Sequence, residues 1–227
     1  MAHISYDTDN SANCICDVKR WPQTNTLAGF ILYTYGNRPH IQSVCPDIQE
    51  QAAKLAANMV RDQLESIAAA DGSGDLRYCA AKINDVLKQV NDHIRKISEL
   101  VGLGIYLGGT VTYMTGASYI TFPFGGGVTY LWNEHELLSK GGIPADGILR
   151  NALGASAGWQ GECWKGVLQP RLKLFCMSEP LKDTATAVHI ISGDIAPDAH
   201  SDTVAMLLRR ELGRTSIPPC AVIEISN

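Results

Sequence analysis

Apolar and polar positions along the chain change period several times, and each change marks an element. Between Thr26 and Tyr35 the run Thr-Leu-Ala-Gly-Phe-Ile-Leu-Tyr-Thr-Tyr is rich in aromatic and β-branched residues and stops at Gly36-Asn37-Arg38-Pro39, which predicts a strand ended by a loop. The first 45 residues read as β-structure on this basis. From Asp47 to Ala70 the period is helical. Asp47 and Glu50 stand after Pro46 as a capping box, and Ile48, Ala52, Leu55 and Met59 recur on one face. Past Asp71-Gly-Ser-Gly74, a second amphipathic helix is predicted from Asp75 to about Leu100. Its stripe runs through Leu76, Ala80, Ile83, Leu87, Val90, Ile94, Ile97 and Val101. The short glycine-rich joint makes the two helices an antiparallel hairpin whose apolar stripe needs a cover. The heptad-like spacing of the second helix also permits a dimer seam.

Three β-prone runs follow, Thr110–Thr115, Ser118–Phe122 and Val128–Trp132, at hairpin distances that predict an antiparallel meander, with Gly125-Gly126-Gly127 as a tight turn between strands. Residues 133–170 are mixed, with a short helical reading over 147–153. Leu172–Met177 reads as a strand, 202–212 as a helix and Cys220–Ile225 as a closing strand, while 183–192 is ambiguous. Strands and helices come in runs and do not alternate as β-α-β-α. The expected class is therefore α+β, a layered α-β-β-α sandwich of two mainly antiparallel sheets flanked by helix pairs, as one domain over residues 1–227.

Composition changes this picture little but excludes several functions. The chain has 227 residues, 45% of them hydrophobic and 19% charged, enough apolar material for a core. A formal net charge of −4 is not that of a general nucleic-acid binder or of a polybasic membrane-surface protein. No apolar run is long enough for a membrane span and the first residues do not read as a signal peptide, so a cytoplasmic location is expected. The seven cysteines are scattered and never spaced C-x-x-C, so reduced thiols are expected. Cys14 and Cys16 read as strand residues, since a metal site there would need further ligands.

Motifs of reaction chemistry are few. Gly102-Leu-Gly104-Ile-Tyr-Leu-Gly108 misses the dinucleotide spacing, and no phosphate-binding P-loop occurs. Gly154-Ala-Ser156-Ala-Gly158 matches the serine-nucleophile pattern, with Asp183 or Asp194 and His189 or His200 available as partners. The segment before it does not read as the strand that motif requires, so a small-residue loop is preferred. His135 reads as part of a charged hairpin turn. Asp194, Asp198 and Asp202 read as a solvated loop with a helix cap.

The order of elements and the local sequence together resemble the metal-dependent Ser/Thr protein phosphatases of type 2C. The resemblance is carried by Val90-Asn-Asp-His-Ile94 and then Gly108-Gly-Thr-Val111, by Phe124-Gly-Gly-Gly-Val-Thr-Tyr-Leu131, by Ala152-Leu-Gly154, by Leu174–Asp183 and by Pro218–Ile223. It implies the same layered fold. It also implies an active site of two Mg²⁺ or Mn²⁺ ions held by aspartates, because hard cations prefer carboxylate oxygens. At the matching positions those aspartates are replaced. Tyr33, followed by Thr34, stands in place of the bridging aspartate, Gly126 replaces a second and Pro218 a third, while Glu179 keeps a carboxylate.

The resemblance therefore implies a pseudophosphatase with no catalytic residue, no metal and no cofactor, serving as a protein-binding or regulatory module. Its partner would be a kinase, a phosphatase or a phosphoprotein, with neither nucleic acid nor membrane as partner, and the oligomeric state stays open. Tyr33, Tyr35, Trp159 and Trp164 are the expected aromatic contacts of the relict cleft. The alternative is a divergent Mn- or Mg-dependent phosphatase in which Glu179 acts with Asp17, Asp183 or Asp194.

Overall fold

A computed structural model describes residues 3–8, 14–34, 46–70, 75–141, 151–178, 180–181, 184–192, 204–215 and 221–226. The chain begins with strands β1 (His3–Thr8), β2 (Cys14–Trp21) and β3 (Thr26–Thr34), followed by the helices α1 (Pro46–Ala70) and α2 (Leu76–Val101). Six further strands and two helices come next: β4 (Leu107–Thr115), β5 (Ser118–Phe124), β6 (Val128–Trp132), β7 (Leu137–Gly141), β8 (Trp164–Val167), β9 (Lys173–Met177), α3 (Thr184–Ser192) and α4 (Val204–Thr215). Strand β10 (Ala221–Ser226) follows. The strands form two sheets, ordered β2-β3-β4-β5-β8 and β1-β10-β9-β6-β7, and every pairing among them is antiparallel. The α+β sandwich expected from the sequence is the observed architecture.

Three apolar layers hold it together. The helices α1 and α2 cover one face of the first sheet, joining Phe30, Leu32, Val111 and Phe122 to Val60, Ile83, Leu87 and Ile94. The helices α3 and α4 cover the outer face of the second sheet, where Phe175, Met177 and Val222 meet Ile190 and Leu208. Between the sheets lies a third cluster containing Ile31, Tyr33, Cys176 and Ile223. Side chains alternate along each strand, so β3 sends Phe30 and Leu32 to the helices and Ile31 and Tyr33 to the other sheet.

Four expectations are corrected. The meander does not stay in one sheet: β4 and β5 pair with each other, but β6 pairs with β9 and β7, so Gly125–Gly127 carries the chain from one sheet to the other. A Cβ on Gly127 would stand 1.9 Å from the Gly109 carbonyl oxygen, so backbone touches backbone where the sheets meet and only glycine fits. Asp47 is not at the N-cap position. Helix α1 starts at Pro46, placing Asp47 inside the first turn, and Glu50 pairs with Lys54 at 2.6 Å.

The buried stripe of α1 is also rotated from the expected one. Ala52, Ala53, Ala56, Ala57, Val60 and Leu64 are buried while Leu55 is exposed, because small residues let the helix approach β3 closely. Finally, the α2 stripe is consumed in the core, with Ile83, Leu87, Val90 and Ile94 fully buried, which removes the dimer seam. Helix α2 is capped at both ends, the Asp75 side chain accepting from the Arg77 N–H and Gly102 closing the helix in the left-handed region. The ambiguous 183–192 segment contains α3. The edge strands β7 and β8 were not signalled by the sequence, being short and lysine-bearing with mostly exposed residues. No helix among the described residues is long and apolar enough to cross a membrane.

Candidate functional site

Antiparallel pairing gathers six strand ends at one end of the sandwich. In the first sheet Tyr33 lies opposite Gly108, and Gly109 opposite Phe124. In the second, Met177 lies opposite both Val128 and Val222. The Gly125–Gly127 crossing joins the two sets. Tyr33, Thr34, Gly126, Ser178 and Ala221 thus lie at the same end of the sandwich. Glu179, Pro218 and Tyr35 themselves lie outside the described residues, as do Asp183, Asp194 and His200.

Among the described residues this region holds a buried phenol and buried hydroxyls. Tyr33 is 2% exposed and packs in the inter-sheet cluster with Cys14, Ile31 and Ala221. Thr34, next along β3, is buried with its hydroxyl unpartnered among the described residues. The chain on both sides of Glu179 is pinned: the Ser178 N–H donates to the Ala221 carbonyl at 3.1 Å, the Ala221 N–H donates to Ser178 Oγ at 3.1 Å, and the Leu181 N–H donates to the Tyr130 hydroxyl at 3.0 Å. Burial pushes the Tyr130 phenol up, against the lowering effect of that bond, so it stays a neutral anchor.

Asp17 is not part of this region. On β2 it faces α1, where Arg61 Nε donates to its carboxylate at 2.6 Å. Asp7 on β1 is likewise turned to α4, accepting from Arg209 Nε at 2.5 Å. Each carboxylate clips an edge strand to a helix on the outside of the sandwich. The rearranged metal site is therefore without Asp17. Among the described residues no three His, Cys, Asp or Glu side chains come together as a cation site, and a buried phenol, a glycine turn and a turned-away aspartate do not fit a pair of hard cations.

The aromatic cleft is not assembled as expected. Trp159 is 2% exposed and belongs to the helix-side core, its ring edge-on to Phe124 with centroids 6.2 Å apart and its indole N–H donating to the Asn151 carbonyl at 2.7 Å. Trp164 stands on β8, edge-on to Tyr119 with centroids 6.4 Å apart. Trp159, in the segment before β8, packs on the helix side and does not meet Tyr33, whereas Trp164, opposite Thr121, lies on the inter-sheet face but on the edge strand, three strands from Tyr33.

The serine-nucleophile reading also fails. Leu153 forms a lone bridge to Leu107, Ser156 is exposed, and the chain after it continues as coil into β8, so the strand–turn–helix that such a serine requires is missing. The loop is instead held by buried Asn91, which accepts from the Gly154 N–H at 2.9 Å and donates to the Ser156 carbonyl at 3.1 Å. His135 sits in an exposed turn closed by Asn133, as read from the sequence.

A polar belt between the sheets escaped sequence reasoning. Thr110, Thr112, Thr121 and Thr129 are all fully buried; Thr121 and Thr129 share a 2.8 Å hydroxyl contact, and Thr129 reaches Cys176 Sγ at 3.9 Å. Burial pushes the Cys176 thiol up to about 11, and burial, reinforced by Cys14, raises Cys16 further. Both are held as neutral thiols. The alternating Thr110-Val-Thr112 and Thr121-Phe-Pro pattern carried this signal, but threonine in a strand reads first as β-propensity.

The whole fold has known counterparts. No family model matches the sequence, and no curated protein matches it. Solved structures do: the serine/threonine phosphatase of S. agalactiae superposes with a TM-score of 0.72 at 12% identity, over 100% of this chain and 99% of that one. The catalytic domain of the phosphatase PstP, in complex with two manganese ions, gives 0.63 at 18% identity over 99% and 96%. A structure of the bacterial stressosome, a modular system adapted to control secondary messenger signalling, gives 0.57 at 15% identity over 99% and 97%. The chain thus has the fold of the type 2C Ser/Thr phosphatases.

Proposed function

We propose that this chain is a pseudophosphatase, a type 2C phosphatase fold that acts as a protein-binding regulatory module without two-metal phosphoester hydrolysis. The observation that carries the reading is Tyr33, a buried phenol at the strand end where the resemblance expects the metal-bridging aspartate. Two hard cations a few ångströms apart need several anionic oxygens to offset their charge. A neutral phenol in an apolar cluster supplies none, and Gly126 has no side chain to add. Asp17 is committed to Arg61. The likeness to a stressosome structure supports a regulatory role, because a fold can keep its surface after its chemistry is gone.

The test is turnover of p-nitrophenyl phosphate and of a phosphoserine peptide with manganese or magnesium at millimolar concentration. No metal-dependent turnover is expected. Manganese-stimulated hydrolysis lost in Glu179→Gln would replace this reading with that of a divergent phosphatase.

A further inference from the structure

Tyr33 is buried between the sheets, whereas the helix face carries an open groove. It runs between α2 and the segment 158–163, as two adjoining cavities of about 340 and 260 Å³ that share Lys88 and Gln160. Buried Phe122 and Trp159 form its floor. Gly161 keeps it open, since a Cβ there would stand 2.7 Å from the Trp159 ring and 3.2 Å from Asn84 Oδ1.

The polar groups of this groove are unspent. Asn84, Lys88 and Gln160 have no hydrogen-bond or ion-pair partner among the described residues. Of the acids on its two walls, Asp92 accepts from Asn91 Nδ2 at 3.2 Å and Glu162 pairs with Lys140 at 3.2 Å. A second cation stands at the far end: Lys165 on β8 shares a sheet face with Ile120 opposite it, and its charge acts on the Cys163 thiol of the groove against the larger effect of burial. Two amide side chains can each donate to and accept from an extended peptide backbone, while two ammonium groups select anionic side chains on it.

The geometry points to this groove, and not the relict cleft, as the docking site for an extended acidic segment of a partner protein, with Lys88 as its central contact. The inference rests on the binding-module reading for its protein partner. It also returns Trp159 to a partner surface, as floor and not as rim.

Titration of the isotope-labelled protein with acetyl-Glu-Glu-Leu-Glu-Glu-amide, followed by amide chemical shifts, tests it. Shifts are expected along α2 from Ala80 to Asp92 and over 158–163. The all-lysine counterpart peptide should cause none. Lys88→Glu should weaken binding by about tenfold or more, whereas Lys96→Glu, exposed on the same helix outside the groove, should leave it unchanged. Lys88→Met keeps the fold test honest, since it removes only the charge and should weaken binding in the same direction. Absent or scattered shifts, or equal effects of the Lys88 and Lys96 variants, would overturn the proposal. Manganese added to the same sample separates the two readings. Broadening at Tyr33, Gly108 and Gly126 would overturn the pseudophosphatase and leave the groove result standing on its own.

Discussion

The two faces of the β2-β3-β4-β5-β8 sheet are built differently. The face under α1 and α2 is apolar at its centre, with Phe30, Leu32, Val111, Ile120 and Phe122 packed on a helix pair, and carries its charges, Asp17, Lys19 and Lys165, only on the edge strands. The face toward the second sheet mixes Ile31, Tyr33 and Met114 with the buried hydroxyls of Thr110, Thr112 and Thr121. The helix-side face is a stability device, whereas the inter-sheet face is a spacing device. Small and polar residues set how closely the sheets approach, and that spacing decides what fits between the strand ends. In this chain a phenol fits there.

Substitutions should separate the two roles. The largest effect is expected on the helix side: Leu87→Ala, at a fully buried position, should cost about 2–5 kcal/mol in urea unfolding. Gly127→Ala should cost about 1–3 kcal/mol or more, because its methyl meets the Gly109 carbonyl and the sheets must part. If Gly127→Ala were neutral by the same measurement, the spacing argument would collapse.

The inter-sheet thiol offers a pH test. Cys176 is raised from 9.0 to about 11 in the folded state by burial. The unfolded chain therefore loses this proton first as pH rises. The thiol's contribution to stability is full below about pH 9 and falls away between 9 and 11. Urea midpoints at pH 8 and pH 10.5 should differ less in Cys176→Ala than in the parent chain; an unchanged difference would count against the neutral buried thiol.

The smallest effect belongs to the Asp17–Arg61 clip, whose side chains are 36% and 37% exposed. Arg61→Ala should cost about 1 kcal/mol or less. Its value is diagnostic, since freeing Asp17 in this way should not create manganese binding.

Much of this architecture was legible in the sequence, and the exceptions have physical causes. The stripe of α2 is a local feature, visible wherever side-chain spacing alone decides, whereas its Asp75 and Gly102 caps emerge only from the structure. The α1 face was misread because Leu55 and Met59 outweigh alanines in any hydrophobic count, while close helix–sheet packing selects Ala52, Ala53, Ala56 and Ala57. Which sheet β6 joins depends on the crossing at Gly125–Gly127, a tertiary matter that hairpin spacing does not encode. At the candidate site, Tyr33 was identifiable through the resemblance, and its burial between the sheets follows from strand alternation. Asp17 is odd by the same alternation and faces α1, but reading that required the register of β2 against β3. The groove over Phe122 and Trp159 had no sequence signal, since its residues come from α2, β5 and 158–163.

The most direct test of the central claim is calorimetric titration of manganese into chelator-treated protein, alongside the double variant Tyr33→Asp, Gly126→Asp. The account predicts no binding to the parent chain up to millimolar metal, and measurable binding once the two carboxylates are restored at the strand ends. Two manganese ions bound to the parent chain would contradict it.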